Sequence, residues 1–163
     1  MCKLWPNRDM WSARCLPAKK DEEYYGHDYL DASRGFRNGR SICWSQMREM
    51  TTEDYYELDL GKKRVIRSIK FVDNGDGYPK KYKLLLDYNG DGRKFEEYGI
   101  YNGPIQISFT KPMKIVALRI EIVETKPEPL GNRGLPAWSI FDIEIIEVRF
   151  GLFNKFYEKL IKE

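Results

Sequence analysis

The sequence predicts an all-β protein, a β-sandwich of about eight short strands followed by one C-terminal helix. Three observations predict it. Apolar and polar residues alternate in short runs, most clearly through residues 55–86, YYELDLGKKRVIRSIKFVDNGDGYPKKYKLLL. Clusters of glycine and proline separate those runs, as turns require. Apolar residues at helical spacing occur only in the tail, GLFNKFYEKLIKE.

Within residues 55–86, Tyr56, Leu58 and Leu60 alternate with Glu57 and Asp59, the period of a half-buried strand. Gly61 and the basic triplet Lys62-Lys63-Arg64 then read as a solvated tight turn. A second strand follows, with Val65, Ile69 and Phe71 on one parity and Ile66 and Val72 on the other. Apolar residues on both faces suit a strand between two layers. Residues 73–79, DNGDGYP, form a polar loop, after which Tyr82, Leu84 and Leu86 alternate again.

Residues 1–23 read as an irregular basic segment whose Trp5 and Trp11 are expected to pack on the domain. Next come EEYYGHDYLD and the glycine-punctuated loop ASRGFRNGRSICW, ending on Trp44. Beyond Leu86, residues 87–92 make a turn and residues 94–98 a short strand. Ile105, Ile107 and Phe109 form a strand closed by Lys111-Pro112, and Val116, Leu118, Ile120 and Ile122 form another. A second long loop, residues 126–137, precedes the last strand region, residues 138–148. Trp44 and Trp138 are expected in the core. The tail, residues 150–163, reads as an amphipathic helix that packs on the sandwich or leads into a further domain, with a membrane-surface or partner-binding helix as the sharper alternative.

At 163 residues the chain is one domain, with the sandwich over residues 24–149. Lys+Arg 28 against Asp+Glu 25 leaves a net charge of +3, too balanced to indicate nucleic acid. Aromatics are rich at 14%, eleven of them tyrosines, a composition common in sandwiches and in surfaces that grip sugars or partners. Cys2, Cys15 and Cys43 allow one disulfide with a spare thiol, or three reduced thiols. No Cys-x-x-Cys occurs and His27 is the single histidine, which argues against zinc. The start, MCKLWP, lacks the apolar centre of a secretory signal. The chain is therefore either intracellular or a domain of a longer exported protein, where it would work at an extracellular or cell-surface location.

Four pieces in sequence resemble the discoidin domain, also called the coagulation factor type C domain. They are YYELDLG at 55–61 with Ile66, GYPKKYKL at 77–84 with DGRKF at 91–95, IVALRI at 115–120, and WSIFDIEI at 138–145. The resemblance spans roughly residues 24–149 with the pieces in the family's order. It implies a jelly-roll sandwich of the galactose-binding-like class, with ligands at loops clustered at one end. Family ligands include sugars, phospholipid head groups and protein partners. Chemistry of its own is not expected either. One histidine, no Ser/His/Asp set and no recognisable carboxylate pair leave nothing for acid–base or nucleophilic work.

Three departures matter. Sugar-binding members hold a structural calcium with an Asp-Gly in the first loop and an acid in the last strand. Here Arg34-Gly35 replaces the Asp-Gly, while Asp142 keeps the second position, so no cofactor and no calcium is expected. No cysteine follows Cys43, so the disulfide that clamps the clotting-factor domains is absent. Finally, Asp87, Asn89, Asp91 and Gly92 match the first half of a calcium loop. The twelfth position is Tyr98, however, and a hairpin turn is the reading preferred.

The resemblance places loops 24–29, 35–40, 74–78 and 130–135 together at one end, and the 87–92 hairpin at the other. A sugar site needs an aromatic face and planar polar groups. Tyr25, Phe36 and Tyr78 suit the first role; His27, Arg37, Asn38, Asn74, Asp76, Asn132 and Arg133 suit the second. The function expected is a non-catalytic carbohydrate-binding module, as an accessory to a glycoside-processing enzyme or a surface protein. The alternative is a module for a protein partner or an anionic lipid surface, gripped by Phe36 and Arg34, Arg37 and Arg40.

Overall fold

The structure is a computed structural model that describes residues 11–16, 36–37, 40–41, 44–45, 49–73, 77–90, 94–126, 138–140 and 142–148. Of 36–37, 40–41 and 44–45 the backbone alone is described. These residues are strand and turn, with no helix among them. The helix expected over residues 150–163 lies outside them.

In chain order the strands are β1 (Ser12–Leu16), β2 (Phe36–Arg37), β3 (Arg40–Ser41), β4 (Trp44–Ser45), β5 (Tyr55–Val72), β6 (Lys81–Asp87), β7 (Glu96–Asn102), β8 (Gln106–Glu124), β9 (Ser139–Ile140) and β10 (Asp142–Glu147). All pairings are antiparallel. The main sheet runs β1-β5-β8-β6-β7, with β10 also on β5, while β2–β3 and β4–β9 form small two-stranded ladders.

Two strands are long, β5 at 18 residues and β8 at 19. Neither is straight. Tyr56 and Phe71 lie fifteen positions apart on β5, which would separate them by roughly 50 Å in an extended strand. Their ring centroids are 5.7 Å apart, edge to face. The strand therefore folds back, and its two halves belong to opposite layers of a sandwich. The bend falls where the β5–β8 register breaks, between Asp59 and Arg64. Gly61 takes φ 75° there, a left-handed value open to a residue without Cβ. The Asp59 carboxylate steadies the bend by accepting the Gly61 N–H at 2.7 Å.

Strand β8 breaks the same ladder a few pairs further on. Ile66 pairs with Met113 and Ser68 with Ser108, so residues 109–112 bulge out of the ladder. Pro112, which has no N–H to donate, is tolerated at such a bulge. The first layer is thus β1, the N-terminal half of β5, the C-terminal half of β8, β6 and β7. The second is β10 with the other halves of β5 and β8.

Between the layers, Tyr56, Leu58, Leu60, Leu84, Leu86, Leu118 and Ile120 meet Ile66, Ile69, Phe71, Ile107, Ile143 and Ile145 in one core. Trp138 is fully buried there, its ring 6.4 Å from that of Tyr56. Trp11 is buried as expected.

Three sequence expectations are corrected. Residues 12–16 of the expected irregular N-terminal segment form β1, pairing Ala13 with Leu58 and Cys15 with Tyr56. The turn expected at residues 61–64 is a bend inside one strand, and Arg64 is buried at 4% exposure rather than solvated. Its guanidinium meets Glu147 of β10 at 2.9 Å, which offsets the cost of taking a charge out of water. Lys111-Pro112 does not close a strand either, because β8 continues through it.

Replacing Trp138 by alanine should cost about 3–5 kcal/mol of stability, the range for emptying a buried aromatic site. Denaturant unfolding measures it, and a loss well under 1 kcal/mol would place the ring outside the core. A second expectation concerns Tyr82, which is fully buried and stacked on Tyr101 at 5.8 Å. Burial pushes its hydroxyl from an ordinary 10.0 up to about 12, and the Gln106 backbone pulls it only partly back. The folded state thus holds this proton above the pH at which the unfolded chain releases it. The associated stability is complete below pH 10 and is lost as pH rises towards 12, by roughly 2–3 kcal/mol. Tyr82→Phe should remove that part of the alkaline decline; unchanged pH curves would contradict the assignment.

Candidate functional site

The bent strands give the sandwich two distinct ends. Strand β6 connects them, with Lys81 opposite Glu124 at one end and Asp87 opposite Ala117 at the other. Its seven residues span about 20 Å. Asp87 begins the hairpin, where its Oδ1 accepts the N–H groups of Asn89 at 3.0 Å and Gly90 at 2.9 Å. Gly90, at φ 76°, supplies the left-handed residue of that turn. Asp91 and Gly92 of the same turn lie outside the described residues.

At the other end, two long loops meet. The Ser139 N–H donates to the Gly77 carbonyl at 2.8 Å. The Lys126 ammonium stands 3.4 Å from the Tyr78 ring centroid. Lys126 and Ser139 flank the loop that contains Asn132 and Arg133, while Gly77 and Tyr78 end the loop that contains Asn74 and Asp76. The structure therefore joins two of the four predicted loops at both edges of the second. Strand β4, which follows the β2–β3 hairpin carrying Phe36 and Arg37 in the chain, pairs Ser45 with Ser139 beside the second of these loops.

Gly103 locks the arrangement. A Cβ there would stand 2.2 Å from the Pro79 carbonyl oxygen and 2.5 Å from Tyr78 Cδ2. The backbone at 103 must pass that close, and the Gly103 N–H donates to the Lys80 carbonyl at 3.0 Å. Beside this contact lies a shallow cavity of about 190 Å³, lined by Lys70, Phe71, Val72, Asp73, Pro104, Ile105 and Gln106. At the same end Glu124, opposite Lys81 in register, is salt-bridged to Lys80 and, at 3.5 Å, to Lys81. The hydrogen bond from Lys80 holds its carboxyl below the usual range.

Of the ten candidate residues, Tyr78 alone has a described side chain. It is half-buried, and Lys126 already covers one face of its ring. A sugar would have to use the other face or meet the lysine. Phe36 and Arg37 are placed by backbone alone, in register with Ser41 and Arg40. Tyr25, His27, Asn38, Asn74, Asp76, Asn132 and Arg133 lie outside the described residues, as do Arg34 and Gly35. Lys126, Asp73, Asn102 and Gln106 belong to this end and were missed. Isolated polar residues at strand ends carry no periodic signal, and only folding brings them together.

The densest charge network lies elsewhere, on the outer face of the first layer. Arg119 sits 3.8 Å above the Tyr55 ring and reaches Glu121 at 3.1 Å and Glu57 at 3.9 Å. Burial pushes the Glu57 carboxyl up, and Arg119 and then Arg14 oppose the shift. Arg14, Glu57 and Arg119 are neighbours in register across β1, β5 and β8. Alternating charges matched across strands stabilise a sheet face. Among the described residues no group of three or more His, Cys, Asp or Glu stands as a metal site would.

No protein-family model and no curated protein sequence matches the chain. Solved structures do. A chitosan-binding module of a chitosanase/glucanase from Paenibacillus sp. IK-5 is similar at TM-score 0.58 and 16% identity, covering 83% of this chain and 93% of that one. A family 32 carbohydrate-binding module from C. perfringens NanJ, in complex with galactose, is similar at TM-score 0.55 and 14% identity, covering 86% and 96%. Another from Clostridium perfringens, in complex with GalNAc-β-1,3-galactose, has TM-score 0.59 and 14% identity, covering 86% and 98%. The chain shares their β-sandwich fold, the fold class that its sequence predicts.

Proposed function

We propose that the chain is a non-catalytic carbohydrate-binding module that takes its sugar at the loop end of the sandwich. The observation that carries this reading is the junction of two long loops there. Tyr78 and Lys126 are held together beside a shallow cavity, with Gly77 bonded to Ser139. An aromatic ring, a charged donor and exposed amides such as Asn102 and Gln106 are the groups that sugar hydroxyls and C–H faces need. The sandwich neighbours whose names include chitosan, galactose and GalNAc-β-1,3-galactose support the reading. Tyr25, His27, Phe36, Arg37, Asn38, Asn74, Asp76, Asn132 and Arg133 are proposed to complete the site from the adjoining loops.

A cavity of this size falls below the usual range for enclosing ligand pockets. Single-site affinity should then be modest, roughly micromolar to millimolar, and be recovered by several modules acting together. Such a module suits an extracellular or cell-surface part of a longer protein, beside a glycoside-processing domain.

The test is a magnetic-resonance titration of labelled protein with galactose, N-acetylgalactosamine and chitosan oligomers. Shifts should gather at Gly77, Tyr78, Asn102, Lys126 and Ser139, and Lys126→Ala should weaken binding about tenfold through loss of a charge-assisted hydrogen bond. Shifts confined to residues 87–98, or none with any sugar, would overturn the reading. The proposed site also works without calcium, because Arg34 stands where the resemblance calls for an acidic ligand. Melting curves with calcium and with chelator should coincide; a rise of many degrees on adding calcium would contradict this.

A further inference from the structure

The end of the sandwich opposite the loops has a chemistry of its own. Lys62 and Lys63 project from the bend of β5, Lys111 and Lys114 from the bend of β8, and Arg67 lies just beyond; all five are exposed. Register brings them together. Val65 pairs with Lys114, and Arg67 stands between Ile66 and Ser68, whose partners Met113 and Ser108 bracket the bulge that carries Lys111. From Lys62 to Arg67 the strand can span at most about 17 Å.

Two of the nearby carboxylates already have partners. Asp59 Oδ1 accepts the Gly61 N–H, and Glu147 pairs with buried Arg64. Among the described residues no carboxylate pairs with any of the five cations. Five like charges on one corner repel one another. A chain that gathers them has placed a positive potential where an anion can relieve it.

We infer that this basic corner binds an acidic polysaccharide, a linear chain of uronate or sulfated sugars. Four of the five cations are lysines. These are hydrated point charges on flexible stems, suited to a mobile polyanion rather than to one fixed two-pronged contact. Of the exposed large apolar residues among those described, Ile100 and Val123 lie on other stretches of strand, and Ile146, which pairs with Ser68 beside Arg67, is a single side chain and too small a wedge for a bilayer. No described aromatic side chain at the corner is exposed for stacking on single-stranded bases. A net charge of +3 is small beside the strongly basic footprint of a duplex-binding domain. What remains is recognition by charge along a short length of polymer. The corner is separate from the loop end by the length of β6, so this inference stands or falls independently of the sugar site proposed there.

The experiment measures binding of the whole chain to polygalacturonate and to a neutral galactan at low and physiological salt, by calorimetry and amide shifts. Polygalacturonate should bind with shifts at residues 61–67 and 110–115, more weakly as salt rises. Lys63→Gln with Lys114→Gln should reduce that affinity about 30-fold, at the usual effect of a lysine near an anionic surface. Lys83→Gln on the outer sheet face removes the same charge elsewhere and should change it little. Melting temperatures of the variants confirm folding, and since both lysines are exposed these should stay near that of the parent chain. Four results would overturn the inference: no polygalacturonate binding, equal loss in Lys83→Gln, shifts only at the loop end, or tighter binding to duplex DNA or phosphatidylserine vesicles than to polygalacturonate.

Discussion

The rest of the structure depends on the paired bends in β5 and β8. Each strand is too long for one layer, and their shared ladder breaks twice within a few pairs, at residues 60–63 of β5 and at residues 109–112 of β8. Because they bend together, the β5–β8 ladder continues on both sides of the break, from Tyr55 opposite Glu121 to Lys70 opposite Gln106. One hydrogen-bonded ribbon thereby supplies the middle of both layers. The aromatic contacts of Tyr56 with Phe71 and Trp138 then join layers that the chain has already made continuous. Gly61 permits the turn of the backbone, but burial of Arg64 fixes its direction. The Arg64–Glu147 pair ties the bend to β10, and the Val148 N–H reaches the Val65 carbonyl at 2.8 Å beside it.

The same bends separate the two ends chemically. Corner residues need not pack, since the core is filled from the strands, so the bend can carry lysines at little cost to stability. At the far end the strands stop and long loops begin, where side chains are free to vary over a rigid base. Strand β6 runs between these regions with Leu84 and Leu86 fully buried and Lys81 and Lys83 outward. A module of this build can therefore change either end without disturbing the layers that hold it.

How much of this was legible follows from the range of each interaction. Alternation at Tyr56, Leu58, Leu60 and at Tyr82, Leu84, Leu86 depends only on strand period, and the core contains all six. The fold class was readable for that reason. The bend was not. A glycine followed by three cations looks the same whether the chain turns back or continues, and the partner that buries Arg64 lies 83 residues later. Strand β1 was missed because SARCL has one clear apolar alternation and gains its order from pairing with β5. At the site, Tyr78 was visible as an aromatic in a glycine-rich loop, but Lys126 was an unremarked lysine ahead of a proline. Its place above Tyr78 is a product of the whole topology. The loops expected to hold seven of the ten candidates lie outside the described residues, so sequence remains their only support.

Tyr78 shows why the loop end is better described as a fixed platform than as a set of free side chains. Its ring has Lys126 over one face, and its backbone adjoins the Gly77–Ser139 bond. Gly103 approaches so closely that even a methyl group would collide with the Tyr78 ring and the Pro79 carbonyl. Those three constraints come from three different segments and hold their described residues against one another. Beneath them, Tyr82 stacks on Tyr101 and the Phe71 N–H bonds the Ile105 carbonyl at 2.9 Å, which carries the same order into the core. A site already held in this way loses little further freedom when a ligand arrives. On the proposed reading, a sugar meeting this shallow surface would then face a smaller cost in ordering entropy.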